Sequence, residues 1–296
     1  MPTRRAFLQQ AGALASTGAF APMSLAAPPP YKMGLQLFTI RDAMARDVAG
    51  TLTRIAALGD QEVETYGFEP DGPGYYRMPA RDFARQLRDH GLTSPSGHYD
   101  LNRFATASDD DLNRYVDRCI VGAKVLGQTY ITWPFLEEPL RALEPFSRIV
   151  ARFNAIGERI VKGGLQFAYH NHGFEFVEQN GRIPYDIVLR ETDPTLVKLQ
   201  IDLYWLSHDS KQSPRSWFER APGRFVMWHV KDMHKVSRDY TELGNGTIDY
   251  PRIWPDAAFS GMKHFFVEQG GNFAQDSMQS VTDCAAYVKR YLLPPP

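Results

Sequence analysis

Two histidines separated by one residue, His170 and His172, are the first feature of this sequence that could do chemistry. They lie in the segment 169–176, which reads YHNHGFEF, and they follow a mostly apolar run at 165–168. If that run is a strand, side chains two positions apart point to the same face. Two imidazoles beside a glycine turn can bind a metal ion or transfer a proton near neutral pH. A core histidine followed by a surface turn residue is the plainer interpretation of this segment alone.

The rest of the chain alternates between strand-like and helix-like segments. Short segments rich in Val, Ile, Phe and Tyr are predicted strands at 33–38, 62–66, 92–98, 129–133, 165–170, 197–202, 225–230 and 264–268. Apolar spacing and glycine stops predict helices at 51–58, 79–90, 108–127, 145–162, 184–191, 214–220, 250–259 and 276–292. Eight strand–helix units in about 265 residues predict a single α/β domain, a (β/α)8 TIM barrel over 32–296. A doubly wound sheet is the alternative, but it would need a glycine-rich phosphate loop that the sequence lacks.

In such a barrel the active site lies at the C-terminal ends of the strands. The residues that end predicted strands five to eight include His170, Asp202, His229 and Glu268. Two imidazoles and two carboxylates suit one divalent ion, Mn²⁺, Co²⁺, Zn²⁺ or Fe²⁺, with positions left for water or substrate. Packing does not explain four such residues, because each would be a buried polar group without a partner.

Other polar and aromatic side chains are expected at the same end of the barrel. The polar ones are Gln36, Glu64, His98 and Lys231. For the last three, a substrate contact and a structural hydrogen bond are equally good interpretations. Aromatic faces stack on sugar rings, and the candidates at or just past strand ends are Phe38, Phe68, Trp133 and Trp205. The alternative is that some of these aromatic residues only pack as core at the barrel mouth and do not contact a substrate.

The N-terminal residues 1–26 resemble a signal peptide rather than part of the fold. Arg4 and Arg5 form a twin-arginine pattern, an acid-free apolar stretch follows at 11–21, and small residues at 24 and 26 suit cleavage after Ala26. The pattern predicts export to the periplasm by the twin-arginine machinery, with 27–31 as a spacer. An anchored or frayed N-terminal helix is the alternative.

The charge balance excludes several classes of partner. Formal net charge is −1, and removing Arg4 and Arg5 leaves 31 basic and 34 acidic residues, a net charge of −3. No basic surface for nucleic acid or an anionic membrane is indicated, and no other segment is apolar enough to span a bilayer. Two distant cysteines, Cys119 and Cys284, are expected to be buried thiols rather than a disulfide framework.

Six motifs together resemble the sugar phosphate isomerase/epimerase proteins of the xylose-isomerase-like barrel superfamily. They are LQLFTIRD (35–42), YHNHGFEF (169–176), DLYW (202–205), HVKDM (229–233), ELGNGTID (242–249) and VEQ (267–269). The similarity runs from about residue 32 to the C-terminus. It implies one divalent ion at the barrel mouth and chemistry next to a ketone through an enediolate. In the epimerases the ligands are Glu, Asp, His and Glu, and the last three fall on Asp202, His229 and Glu268.

The first ligand position falls on His170, so this sequence departs from the epimerase pattern. The two glutamates of the epimerases also act as bases on opposite faces of the sugar, and one of them is missing here. Glu175 could fold back as a substitute ligand or base. Elimination or hydration with one base becomes as good an expectation as epimerisation. Branches that resemble inosose dehydratase, or that act on 3-keto-glycosides, have similar histidine-rich fifth strands.

The leading hypothesis is a metal-dependent isomerase, epimerase or lyase for a keto-sugar or keto-glycoside. Glu268, or else His172 or Glu175, would remove the proton next to the carbonyl. Lys231 would stabilise the enediolate charge or protonate a leaving oxygen. His98 and Glu64 would orient hydroxyl groups, and the further predicted substrate contacts are Gln36, Trp133 and Trp205.

Two other functions are compatible with parts of the sequence. One is a non-catalytic periplasmic sugar-binding barrel, which the mouth aromatics favour. The other is a metal-dependent phosphodiesterase on damaged DNA, which the negative net charge and the export signal oppose. The sequence leaves the oligomeric state open, a homo-oligomer included.

Overall fold

A closed barrel of eight parallel strands organises the chain, so the predicted (β/α)8 fold is confirmed. The computed structural model describes residues 31–69, 72 and 74–293. The predicted signal 1–26 and all of the spacer 27–31 except Tyr31 lie outside the described residues. The barrel strands, β1 to β8 in chain order, are Gly34–Gln36, Glu62–Thr65, Thr93–His98, Tyr130–Trp133, Gln166–His170, Val197–Asp202, Met227–Val230 and His264–Val267.

Helices surround the barrel and begin and end where the local sequence requires. In chain order, α1 to α11 are Arg41–Arg46, Val48–Ala57, Ala80–Asp89, Asp109–Leu126, Leu143–Lys162, Pro184–Glu191, Leu203–Asp209, Pro214–Arg220, Tyr250–Ile253, Ala257–Ser260 and Ser277–Tyr291. The Ser108 side chain accepts a hydrogen bond from the Asp111 backbone N–H at the start of α4. Gly127 ends α4 at φ 71°, a left-handed conformation that glycine adopts without steric cost.

Strand register places the polar strand ends side by side. Each strand pairs with its sequence neighbour, and β1 closes the barrel against β8. His229 lies opposite Asp202 across β7 and β6, and His170 lies opposite Gln200 across β5 and β6. Because all strands run in the same direction, these residues meet at one end of the barrel.

The barrel interior is apolar one layer below the polar strand ends. Tyr130, Ala168, Met227 and Phe266 are buried together in a cluster separate from the main core. Ala168, Met227 and Phe266 each precede by two positions a polar residue of the predicted site, so they share its inward face. The polar layer therefore packs directly against a buried apolar layer inside the barrel. The main core fills the space between the strands and the helices.

Several elements differ from the predictions. Predicted helix 250–259 is interrupted by a 3₁₀ turn at Trp254–Asp256, where Pro255 lacks the backbone N–H that a continuous helix needs. Helices α1 and α7 and two small antiparallel sheets were not predicted. One of these sheets comprises Phe68–Glu69, Gly74–Tyr75 and Met78–Pro79, and the other pairs Asp232–Met233 with Tyr240–Thr241. Within the described chain, no helix is both long and apolar enough to cross a membrane.

Candidate active site and metal centre

A pocket of about 450 Å³ opens at the C-terminal end of the barrel. Its least exposed lining residues include His170, Lys231 and Glu268, each at most 9% exposed. Its more exposed lining includes Phe38 and Phe135, at 38% and 40%. The pocket therefore has a polar floor and an aromatic rim. It lies where the fold places active sites.

Lys231 joins two carboxylates at this floor. Its Nζ lies 2.6 Å from Oδ2 of Asp202 and 2.6 Å from Oε2 of Glu268. Burial alone lowers the pKa of Lys231, but the two carboxylates outweigh burial and raise that pKa above its usual value. Burial likewise raises the pKa of Glu268, but Lys231 and His229 hold it well below its ordinary range. Lys231 and Glu268 are therefore both charged at neutral pH.

His229 lies fully buried between two carboxylates. Its Nδ1 is 2.7 Å from Oε2 of Glu268, and its Nε2 is 2.6 Å from Oε2 of Glu64. Burial lowers the pKa of the imidazole, but Glu64 and Glu268 outweigh burial and raise the pKa to about 9. Both nitrogens then donate to carboxylates. If Nδ1 loses its proton, its lone pair faces Glu268 while Glu64 still fixes Nε2, which is how carboxylates orient metal-binding histidines.

Glu64 lies beneath the pocket rather than in it. Its side chain has no solvent exposure, and its carboxylate accepts hydrogen bonds from Gln36, Ser96, Gln200 and His229. Burial raises its pKa, but the imidazoles of His98 and His229 hold the pKa well below its usual value. Gln36 is also fully buried. The predicted substrate contacts of Gln36 and Glu64 do not match these positions, which belong to a hydrogen-bond network under the site.

Gln200, which was left out of the predicted site, fixes two of its histidines. Its Oε1 lies 2.7 Å from Nε2 of His98 and 2.9 Å from Nδ1 of His170, and its Nε2 donates to Glu64. Because an amide oxygen only accepts, both of these imidazole nitrogens carry a proton. His170 therefore directs the lone pair of Nε2 towards Asp202. The sequence signal for Gln200 was its position two residues before Asp202, on the same face of a strand.

Three of the four predicted ligands lie close together. Asp202, His229 and Glu268 each bring one ligand atom to within 4.8 Å of the others, and all three are buried. In the described part of the chain, Oδ2 of Asp202 has no hydrogen-bond partner beyond its ion pair with Lys231. A buried carboxylate oxygen of this kind suits a cation. Nitrogen and oxygen donors together fit the divalent ions predicted from the sequence.

His170 borders this group without completing it. Its Nε2 lies 3.6 Å from Oδ2 of Asp202. His170 nevertheless belongs to a second possible metal-binding group, with His98 and His229, which shares His229 with the first group. Burial and the neighbouring imidazoles lower the pKa of His170 well below its usual value, so the ring is neutral. The four predicted ligands thus lie together as a triad with one neutral imidazole next to Asp202.

The turn after β5 separates His172 from Glu175. His172 lines the pocket, and burial together with Lys231 lowers its pKa to about 3, so its ring is neutral. Glu175 is fully buried, and its carboxylate accepts hydrogen bonds from the Tyr169 hydroxyl at 2.6 Å and the His172 backbone N–H at 3.0 Å. Burial raises the pKa of Glu175 to about 7. Glu175 therefore supports the His172 turn, and its suggested role as a ligand or base does not match its position.

The predicted aromatic contacts are only partly placed at the pocket. Trp133 has no exposure, packs against Phe153 of α5 at 5.4 Å between ring centroids and donates its indole N–H to the Phe135 carbonyl. Its predicted substrate contact therefore does not match its place in the core. Trp205 is partly buried, and its ring lies 5.4 Å from His172. Trp205 therefore packs against His172 and is not among the residues that line the pocket.

Some pocket residues were missing from the predicted site. Phe135 follows β4, and Asp100 and Arg103 follow β3. Their signal was position alone, since the loops after strands β3 and β4 must border the mouth of a barrel. No chemical motif distinguishes them from ordinary loop residues. Phe38 and Phe68, predicted at the mouth, do line the pocket.

Comparison with known proteins places this site in a family context. A curated inosose dehydratase from Lacticaseibacillus casei is 26% identical over 144 residues, which is 43% of this chain and 47% of the dehydratase. The match thus spans about half the length of that relative. A crystal structure of a sugar phosphate isomerase/epimerase from Parabacteroides distasonis is 25% identical, with a TM-score of 0.76 over 89% of this chain and 95% of that one.

A further solved structure, of the IOLI protein with a bound zinc atom, has the same fold. It is 15% identical, with a TM-score of 0.68, and the similarity covers 88% of this chain and 99% of that one. The family model described as xylose isomerase-like TIM barrel matches residues 52–272, most of the described barrel. The chain therefore belongs to the xylose isomerase-like TIM barrel family.

Proposed function

We propose that the protein is a divalent-metal-dependent enzyme that removes the proton next to the carbonyl of a keto-sugar or keto-glycoside and forms an enediolate. The observation that carries the proposal is the convergence of Asp202, His229 and Glu268 beside Lys231 on a pocket floor. The relatives support a small carbohydrate as the substrate, because they are named as an inosose dehydratase and a sugar phosphate isomerase/epimerase.

Asp202, His229 and Glu268 would hold the ion, with His170 as a fourth ligand. When bound, such an ion polarises the carbonyl oxygen of a substrate and makes the neighbouring C–H bond more acidic. Asp202 and Glu268 supply anionic oxygens that balance its charge. The hydrogen bond between Glu64 and His229 fixes the ring that presents Nδ1.

Glu268 is best placed to accept the substrate proton. It lines the pocket, and its low pKa keeps it ionised at neutral pH. Among the described residues, His229 and Lys231 both contact its Oε2, whereas no side-chain partner reaches Oε1, which is therefore available to a substrate. As negative charge develops on the enediolate, the Lys231 ammonium can neutralise it.

The bases available at the site favour a lyase over an epimerase. An epimerase needs one base on each face of the carbon that exchanges its proton. Here Glu268 supplies one carboxylate, but His170, at the position of the other epimerase glutamate, is held neutral with Nδ1 bound to Gln200. The weakly basic His172 is the remaining neutral imidazole at the pocket. Loss of a hydroxyl or alkoxyl group from the carbon next to the carbanion needs only one base, because the proton that the base removes can be returned to the leaving oxygen.

Metal analysis coupled to product analysis tests this function. The purified protein should contain a divalent ion, and a chelator should abolish turnover of 3-keto-glucosides until the ion is restored. Asp202→Ala should lose both the ion and turnover, whereas Asp89→Ala, a surface change on α3, should keep both. Turnover that survives complete removal of the ion would disprove the proposal. Sugar binding that is undiminished in Asp202→Ala and Glu268→Ala, with no turnover in the unaltered protein, would favour a non-catalytic sugar-binding barrel.

The periplasm is the proposed location, supported by the twin-arginine pattern at Arg4 and Arg5. Replacing both arginines by lysine should retain the protein in the cytoplasm, as cell fractionation would measure. Periplasmic recovery of this double variant would contradict export by the twin-arginine machinery. An exported enzyme of this kind would act on sugars before they are taken up.

A further inference from the structure

Two phenylalanines on the pocket rim are unusually exposed for their size. Phe38 follows β1 and is 38% exposed, and Phe135 follows β4 and is 40% exposed. Both line the same pocket as Lys231 and Glu268. Because β1 and β4 are three strands apart in the barrel, the two rings approach the pocket from different sides. Single exposed phenylalanines are common on protein surfaces, but two that line one pocket together can form a binding surface for an apolar group.

Each of these rings is held in place by an arginine. The Arg41 guanidinium carbon lies 4.4 Å from the centroid of Phe38, and Arg41 donates hydrogen bonds to the carbonyl oxygens of Phe38 and Gly270. The Arg141 guanidinium carbon lies 5.3 Å from the centroid of Phe135, and its Nε donates to the Leu136 carbonyl. Neighbouring rings add edge contacts, Tyr66 to Phe38 at 5.3 Å and His172 to Phe135 at 5.7 Å. A ring fixed in this way loses little conformational entropy when a ligand stacks on it.

The rim is separated from the reacting floor but continuous with it. His172 is the link, because it lines the pocket and touches the Phe135 ring. A sugar ring with its carbonyl at Lys231 and Glu268 would occupy the floor. The apolar faces of Phe38 and Phe135 would then contact whatever is joined to that ring. The charged side chains of Asp100 and Arg103 line the pocket as well and could bind hydroxyl groups.

Resting on the proposed function, we infer that the substrate is a glycoside of at least two rings. The reacting sugar binds at the floor, and a second ring with an apolar face, a sugar or an aryl group, stacks on Phe38 and Phe135 at the rim. The chemistry shared by these two kinds of second ring is a flat C–H or π face. A free monosaccharide would leave both phenylalanines in contact with water and would bind more weakly.

Binding of unoxidised glucosides tests this subsite independently of turnover, because they lack the ketone that the proposed reaction needs. The ligands are methyl β-D-glucoside, phenyl β-D-glucoside and cellobiose, and the protein is used as purified, with its ion. Calorimetry should give affinities about tenfold higher for phenyl glucoside, cellobiose or both than for methyl glucoside. The ligand with the larger gain identifies the second ring as aryl or sugar. Equal affinity for all three ligands, or binding of none, would overturn the inference.

Variants of the two phenylalanines locate the effect. Phe38→Ala and Phe135→Ala should each reduce the affinity ratio between two-ring and one-ring ligands to about twofold, and Phe135→Tyr should keep it. Phe259→Ala is the matched control: Phe259 is 39% exposed, has Arg215 at 4.2 Å from its ring and does not line the pocket. The ratio should persist there. A ratio that persists in both alanine variants would place the second ring elsewhere. If the ratio behaves as expected but no 3-keto-glycoside is turned over, the subsite stands and the proposed reaction fails.

Discussion

Nε2 of His229 lies 2.6 Å from Oε2 of Glu64, a carboxylate with no solvent exposure. This contact connects a fully buried carboxylate to a ring that faces the proposed ion with its other nitrogen. Glu64 would therefore act on the proposed ion directly through His229, and through Gln200 on His170. Its other partners hold it rigidly, so the ring cannot tilt without breaking a buried network.

Glu64→Gln should weaken binding of a divalent ion by about 10- to 100-fold. The reason is that the Glu64 carboxylate no longer orients the His229 ring or increases its basicity. Competition with a chromophoric chelator measures the dissociation constant. The chain provides a matched control in Glu62→Gln. Glu62 is buried and forms a 2.7 Å contact with His264, away from the ligand triad, so this change should leave ion affinity unchanged. Equal losses in both variants would indicate general destabilisation rather than an effect of Glu64 on His229.

The second prediction concerns Lys231, whose ammonium stands 2.6 Å from oxygens of two proposed ligands. Lys231→Met removes a positive charge that competes with the ion, so the ion should bind at least about tenfold more tightly. Turnover should nevertheless fall by about 10²- to 10³-fold, because the enediolate loses its counter-charge. Affinity and turnover thus move in opposite directions.

The control for that experiment is Lys263→Met, an exposed position at the other end of the barrel, which should change neither quantity. If Lys231→Met weakens ion binding instead, the ammonium assists the site rather than competing for it. Unchanged turnover would exclude Lys231 from charge stabilisation.

How far the sequence predicts this site depends on which strand is considered. Alternation along β6 and β7, together with parallel pairing, is sufficient to bring Asp202 and His229 together, and they are direct register partners. Strand β4 carries no such information. Its residues Tyr130, Ile131 and Trp133 are apolar on both faces, so the sequence does not reveal that Thr132 points inward and Trp133 outward.

Glu175 escapes prediction for another physical reason. The chain leaves β5 in a tight turn that includes the 3₁₀ segment Phe174–Phe176. In such a turn, side-chain direction follows from backbone torsions and not from a strand or helix period. As a result, the Glu175 carboxylate lies beneath this segment, where it contacts Tyr169 and does not face the pocket. Sequence spacing alone could not distinguish the two directions.

The third prediction is a pH dependence of stability that originates at Asp60, before β2. Asp60 is 6% exposed, and within the described chain its Oδ2 has no hydrogen-bond partner. Burial raises its pKa to about 8, although the charge of Lys289 lowers it in part. In the unfolded chain the pKa is about 3.9. Between these values the unfolded chain releases a proton that the folded protein keeps, so stability falls as pH rises, by at most about 1.4 kcal/mol per pH unit.

Asp60→Asn should remove this slope. Thermal unfolding should give the variant a higher Tm than the unaltered protein at pH 8, with a smaller difference at pH 5. Asp89→Asn, an exposed carboxylate on α3, serves as the control and should follow the unaltered protein at both pH values. A Tm gain for Asp60→Asn that is as large at pH 5 as at pH 8 would contradict the linkage to Asp60.

The fourth prediction separates support of the turn from ion binding. Glu175→Gln replaces one carboxylate oxygen by an amide N–H₂, which cannot accept, so at least one of the hydrogen bonds from the Tyr169 hydroxyl and the His172 backbone N–H is lost. The free energy of unfolding should fall by about 1–3 kcal/mol, as denaturant titration would measure. Divalent-ion affinity should stay within about twofold of the unaltered protein, because the Glu175 carboxylate contacts Tyr169 and His172 and none of the proposed ligands. Asp202→Asn should show the opposite pattern, with ion binding lost. If Glu175→Gln lost the ion as Asp202→Asn does, the turn would have to open on ion binding and bring Glu175 to the metal as the missing glutamate ligand.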